Sequence, residues 1–118
     1  MSRPRRIYVA APIGLNDAGR PQRIANAAAV AAELIVAGFA VYLPHGYEAA
    51  GIDLLALVGY DRACAASGVW LETCDALLWD RVRCPGESPG AVDEVTRMRA
   101  LARPVFHATA DVIAWGPR

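Results

Sequence analysis

The densest chemical signal in the chain is Ser88-Pro89-Gly90-Ala91-Val92-Asp93-Glu94. It follows the apolar run Ala76-Leu77-Leu78-Trp79, which reads as a strand, and it opens a segment over residues 91–101 that reads as a helix. A strand, a loop of Ser, Pro and Gly, and a helix start together make a place where backbone N–H groups face an anion. On the helical wheel Ala91, Val95, Met98 and Ala102 form the apolar face. Asp93 and Arg97 fall outside it, at the spacing of a surface ion pair. Glu94 falls between Ala91 and Met98, on the flank of the buried stripe. A carboxylate directed inward near a strand's C-terminal edge is costly unless it has a partner or a task.

The elements that must position these residues can be read from the rest of the chain. Residues 6–10 predict a buried first strand, closed by Ala11-Pro12-Ile13-Gly14. Residues 15–20 read as a polar loop, and Pro21 suits the first turn of a helix. That helix runs to about Ala37 on a stripe of Ile24, Ala28, Ala31, Leu34 and Ile35, with Gly38 as its stop. Residues 39–43 predict a second strand, closed by Pro44-His45-Gly46. Residues 52–58 leave two readings, a short helix or a loop crossing the sheet edge. Residues 60–73 predict a helix with apolar positions at Ala63, Ala66, Trp70 and Leu71, weakened by Gly68. Pro104-Val105-Phe106 begins a fourth strand, and residues 112–115 are a candidate fifth.

Short apolar strands alternating with helices predict an α/β fold. The expectation is a doubly wound, mostly parallel sheet of four or five strands with helices on both faces, flavodoxin-like or Rossmann-like. Residues 1–118 make one domain, since this length supports one core and not two. Ligands in such folds bind at the C-terminal ends of the strands. The loops expected there, residues 11–20, 44–51, 80–90 and 107 onward, hold most of the Gly and Pro.

Composition narrows the partners. Lys plus Arg and Asp plus Glu are both 12, which argues against a nucleic-acid polymer or an anionic membrane. Arg3, Arg5 and Arg6 read as a solvated basic tail. The sequence predicts no secretory signal, and its longest apolar run, residues 34–43, is broken by Gly38 and too short for a membrane span. Cys64, Cys74 and Cys84 fit free thiols in a reducing cytoplasm. His45 and His107 have no metal-ligand spacing to the cysteines, so no metal is expected. No Gly-x-Gly-x-x-Gly fingerprint is present, which disfavours a redox dehydrogenase, and no cofactor is expected.

Three motifs in order resemble the nucleoside 2-deoxyribosyltransferase-like superfamily, which includes nucleoside deoxyribosyltransferases and nucleoside 5′-monophosphate N-glycoside hydrolases. Ile7-Tyr8-Val9-Ala10-Ala11-Pro12-Ile13 is similar to that family's opening strand and tyrosine. Cys74-Asp75-Ala76-Leu77-Leu78 resembles its third strand, and Ser88-x-Gly90-x-x-x-Glu94 matches its Ser-x-Gly-x-x-x-Glu. Together they cover about residues 6–106. The resemblance implies a glutamate, Glu94, that attacks the anomeric carbon of a nucleoside or nucleotide and forms a covalent glycosyl ester. It implies that Tyr8 holds the glutamate or contacts the sugar, that Ser88 contacts a 5′-phosphate, and that the protein is a homodimer or higher oligomer. Ile13 and Gly90 are then substrate-binding candidates, and Arg20 and Arg23 are phosphate candidates.

The chain departs from the family pattern at one place. The family's second acid, counted back from Asp75, falls on Ser67. Asp61 is the nearest upstream acid and the candidate for proton transfer. Asp75 is expected to cap or turn, and Asp80 to be solvated. Trp70 and Trp115 are candidate subunit contacts. The expected activity is N-glycosidic cleavage by hydrolysis or transfer. The alternative is a module that binds or senses a nucleotide without cleaving it.

Overall fold

The computed structural model describes residues 3–14 and 16–118. Four strands, β1 (Arg6–Val9), β2 (Ala40–Tyr42), β3 (Ala76–Leu78) and β4 (Val105–Phe106), form one parallel sheet in the order β2-β1-β3-β4. This is the doubly wound α/β arrangement expected from the sequence. Chain order reverses direction between β1 and β3, which places the switch point, and hence the natural ligand crevice, beside β1.

The helices are α1 (Arg20–Val36), α2 (Gly46–Ala49), α3 (Leu54–Val58), α4 (Tyr60–Thr73), α5 (Pro89–Ala100) and α6 (Thr109–Trp115). α1 packs with α6, and α4 packs with α5. The core is the sheet's Ile7, Tyr8, Leu77 and Leu78 with Leu34, Leu71 and Met98 from the helices, all fully buried. Burying one such side chain is worth about 1.5–3 kcal/mol. Of the polar loop expected over residues 15–20, Leu15 lies outside the described residues. No helix among the described residues is long and apolar enough to cross a membrane.

Several local expectations are corrected. Residues 112–115 belong to α6, not to a fifth strand. Four residues do not separate a period of 2 from one of 3.6. Val112 is buried and Trp115 covers Phe106, with ring centroids 5.3 Å apart, as helical i and i+3 neighbours do. Residues 52–58 take the helical reading as α3, which Asp53 caps by accepting the Ala56 N–H at 3.2 Å.

α5 stops at Ala100, and Ala102 turns the chain in the left-handed region at φ 57°. Ala102 is therefore exposed instead of extending the apolar face. On α1 the buried stripe is Arg20, Ile24, Ala27, Val30, Ala31 and Leu34, while Ile35 is 58% exposed. On α4 Leu71 and Gly68 are buried, and Ala66 and Trp70 are exposed.

The basic N-terminus is not a solvated tail. Arg5 lies over the Trp115 ring, 3.8 Å from its centroid, and donates to the carbonyls of Trp115 and Gly116. Asp75 ties β3 to β1 by accepting the Arg6 N–H at 2.8 Å. Asp80 is buried, not solvated. Its Oδ1 accepts the N–H groups of Val82 and Arg83, and its Oδ2 accepts the Thr109 hydroxyl at 2.6 Å. Burial alone would raise the Asp80 carboxyl, but these donors outweigh it and hold it below the usual range.

Candidate functional site

A cleft of about 550 Å³ opens at the C-terminal edge of the sheet, beside β1. Its floor is built by register. Tyr8 on β1 pairs with Tyr42 on β2, so both rings leave the same face of the sheet, 5.5 Å apart. That face is covered by α4 and α5. Glu94 lies one turn past Ala91 and one before Met98, and both of those residues are buried. Its carboxylate therefore enters the cleft from the flank of α5. The Tyr8 hydroxyl donates to Glu94 Oε2 in a short hydrogen bond.

Burial pushes the Glu94 carboxyl up from 4.5 to about 7. The Tyr8 hydrogen bond and the nearby Arg97 pull it down, and Asp93 pushes it further up. Tyr8 is itself fully buried beside Glu94, so its phenol is driven far above the usual tyrosine range and stays a donor. Ser67 on α4 completes this polar floor. Its hydroxyl lies 3.3 Å from the Tyr42 hydroxyl and against that of Tyr8. Tyr42 is stacked on its far side by Trp70, at 5.4 Å.

The N-terminus of α5 forms one wall. Ser88 is extended and caps the helix, accepting the Ala91 N–H on Oγ at 3.2 Å. The Val92 N–H bonds to the Ser88 carbonyl, and Pro89 has no N–H. The Gly90 amide is thus the first-turn donor left for a ligand among the described residues. Nothing lies within 4 Å of where a Gly90 Cβ would sit, so this turn faces open space.

The opposite wall holds a pair that the sequence reading missed. Arg20 is 9% exposed and grips Glu48 on α2 bidentately, at 2.6 and 2.7 Å, while donating to the Gly14 carbonyl. That hydrogen bonding holds the Glu48 carboxyl below its usual range. His45 lies beside the pair, 3.9 Å from Glu48, and burial together with Arg20 pushes its imidazole toward the neutral form. The signal for Arg20 was in the helical wheel. Residues 20, 24, 27, 31 and 34 make one stripe, so Arg20 had to be buried and paired.

Tyr8, Glu94, Ser88, Gly90 and Ile13 all line the cleft, and so does Ser67. Asp61 and Arg23 do not. Asp61 is exposed on α4, one residue past Tyr60, which does line the cleft. Arg23 clamps the loop before α1, donating to the Ile13 carbonyl at 2.6 Å and pairing with Asp17 at 2.9 Å. The expected Asp93–Arg97 pair is replaced. Arg97 crosses to α4, where it lies 3.7 Å from Glu72 and against Gly68. A Gly68 Cβ would come within 2.9 Å of that guanidinium, which explains why a helix-weakening glycine sits in α4. Asp93 also lines the cleft beside Glu94, with no ion pair among the described residues.

Fold and cleft together define a Rossmann-like α/β domain with a tyrosine-held carboxylate at its switch point. No protein-family model, no curated protein and no solved structure matches this chain.

Proposed function

We propose that the cleft takes a nucleoside or nucleoside 5′-monophosphate and that Glu94 cleaves its N-glycosidic bond. The carrying observation is the Glu94 carboxylate, in contact with the Tyr8 hydroxyl and with no ion pair among the described residues, in a cleft large enough for such a ligand. In the first step a Glu94 oxygen forms an ester bond to the anomeric carbon. The carbon–nitrogen bond breaks, and its electron pair leaves with the base, which takes up a proton. In the second step water attacks the same carbon, loses a proton and frees the carboxylate; a second base in place of water gives transfer. The nucleophile must be ionised, so the proposed activity rises through a pH of about 7. We assign proton transfer to Asp93, which lines the cleft, in place of Asp61, which does not.

Ser88 and the Gly90 amide suit a phosphate at the entrance to α5. A homodimer is part of the proposal. Val69 and Trp70, adjacent on α4, leave apolar surface exposed, whereas Trp115 packs against Phe106 and Arg5. A cytoplasmic location is proposed from the three free thiols.

The test is product analysis over a panel of ribo- and deoxyribonucleosides and their 5′-monophosphates. Free base from wild type and none from Glu94→Ala supports the reading; equal turnover by the variant removes Glu94 from the mechanism. One observation favours the second reading, a module that binds without cleaving: Ser67 gives a hydroxyl where the resemblance expects an acid. Saturable nucleotide binding by calorimetry, with no base released over hours, would select it.

A further inference from the structure

A second cleft, of about 310 Å³, lies on the other side of α5. Val92, Val95, Thr96 and Arg99 of that helix form one wall, and Trp79, Arg81 and His107 form the other. Arg81 follows β3 and His107 follows β4, so both sit at the C-terminal edge of neighbouring strands, joined by the Arg81 N–H to His107 carbonyl bond at 3.2 Å.

The Trp79 indole is locked from behind, its Nε1 donating to the Cys84 carbonyl at 3.0 Å. The Arg81 guanidinium lies over its face, 4.0 Å from the centroid, and the His107 ring meets it edge-on at 6.3 Å. Arg99 ends in no hydrogen bond or ion pair with any described residue. The lining therefore carries two guanidiniums, an imidazole and a hydroxyl, and no carboxylate. Of the acids nearby, Asp80 is turned inward onto Thr109, Val82 and Arg83. Glu87 reaches Arg81 at 3.3 Å, through a side chain that is 68% exposed. A surface pair of that kind is worth about 0–1 kcal/mol and yields to a better anion.

We infer that this cleft is a second ligand site, distinct from the Glu94 cleft, for a small phosphate-bearing anion. Arg81 and Arg99 would grip the phosphate oxygens, and Val92 and Val95 would cover an apolar body. Guanidinium forks match phosphate oxygens in pairs, and a concave wall of one charge sign concentrates the anion. The inference stands whether or not Glu94 cleaves anything.

The chain's two histidines make the test direct, because His45 lines the first cleft and His107 the second. Imidazole ring resonances are followed by NMR at fixed pH and ionic strength while inorganic pyrophosphate is added to about 10 mM, a range that captures millimolar affinity. The expected result is a saturable movement of the His107 ring with the His45 ring still. Arg99→Gln is expected to weaken it at least tenfold, as loss of one charge-assisted partner does, and Arg81→Gln/Arg99→Gln to abolish it. Arg81 and Arg99 are both exposed, so neither substitution threatens the fold. Movement of His45 alone, a still His107, or an undiminished His107 response in the double variant overturns the inference.

Discussion

Replacing Glu94 by glutamine should make the protein more stable at alkaline pH while removing the proposed activity. The reason is the cost of keeping a buried carboxylate ionised. Burial lifts Glu94 from an ordinary 4.5 to about 7, even with the Tyr8 hydroxyl pulling the other way. A raised folded-state value means that the native protein binds this proton more tightly than the unfolded chain does. The associated stability is fully present below about pH 4.5 and is lost as pH rises through about 7. The displacement converts to about 3 kcal/mol between pH 4 and pH 9.

Glutamine has nearly the same shape, and its carbonyl can still accept from Tyr8, but it has no proton to lose. The variant should match wild type near pH 4 and gain on it steadily, reaching about 3 kcal/mol near pH 9. In melting temperature that is on the order of 10 °C for a domain of this size. Urea denaturation at five pH values, with the urea m-value checked for constancy, measures it. A difference between the two proteins that does not change with pH would refute the reasoning, since it would mean that Glu94 titrates in the fold as it does in the unfolded chain.

Four other outcomes follow from the same structure. Tyr8→Phe removes the hydroxyl that holds Glu94 down, so the rise of base release with pH should move to higher pH, with roughly a tenfold loss at pH 7, the scale of one charge-assisted hydrogen bond. Ser67→Asp places a carboxylate on the cleft floor beside the Tyr8 and Tyr42 hydroxyls; base release should rise by about a hundredfold if proton delivery is what limits the chain, measured as base formed per unit time. Thr109→Val strips Asp80 of its 2.6 Å donor and should cost about 2 kcal/mol at neutral pH by urea denaturation, the loss shrinking in acid as Asp80 is protonated. Ala102→Gly relieves a left-handed alanine and should add about 0.5–1 kcal/mol, read as a higher urea midpoint.

The layered fold was legible because the strands are short and mostly apolar, three of them punctuated by Pro or Gly, and because α1, α4 and α5 are long enough to display a helical stripe. Where the window shrank the reading failed: residues 112–115 looked extended, and nothing in four residues opposes that. The inward aim of Glu94 was legible from its place beside Ala91 and Met98. What it meets was not, because the Tyr8 contact spans 86 positions and depends on which face of β1 the tyrosine takes. Long-range polar pairs were invisible for the same reason. Asp80 looked like a loop acid until Thr109 closed on it, and Arg23 looked like a phosphate ligand until the Ile13 carbonyl claimed it. Asp61 lies on the helix that lines the cleft but not on its lining face: Tyr60, Ala63 and Cys64 reach the cleft and Asp61 does not.

The charge already in the cleft bears on which substrate the proposed reaction would favour. A 5′-phosphate brings about two negative charges toward a carboxylate that is reluctant to ionise. At a separation of roughly 6 Å and an effective dielectric constant near 20, each unit of charge costs about 3 kcal/mol. Two such charges together exceed what a single tyrosine hydrogen bond returns, about 1.5–3 kcal/mol. One Gly90 amide and the Ser88 hydroxyl do not cancel it, and Arg20 is committed to Glu48. Arg97 is the remaining cation of the lining; its hold on Glu72 is loose at 3.7 Å, and its guanidinium already rests on Gly68 inside the wall. A nucleotide substrate therefore requires Arg97 to turn from Glu72 to the phosphate, while an uncharged nucleoside requires nothing to move. The absence of a Cβ at Gly68 leaves that guanidinium room to make the turn.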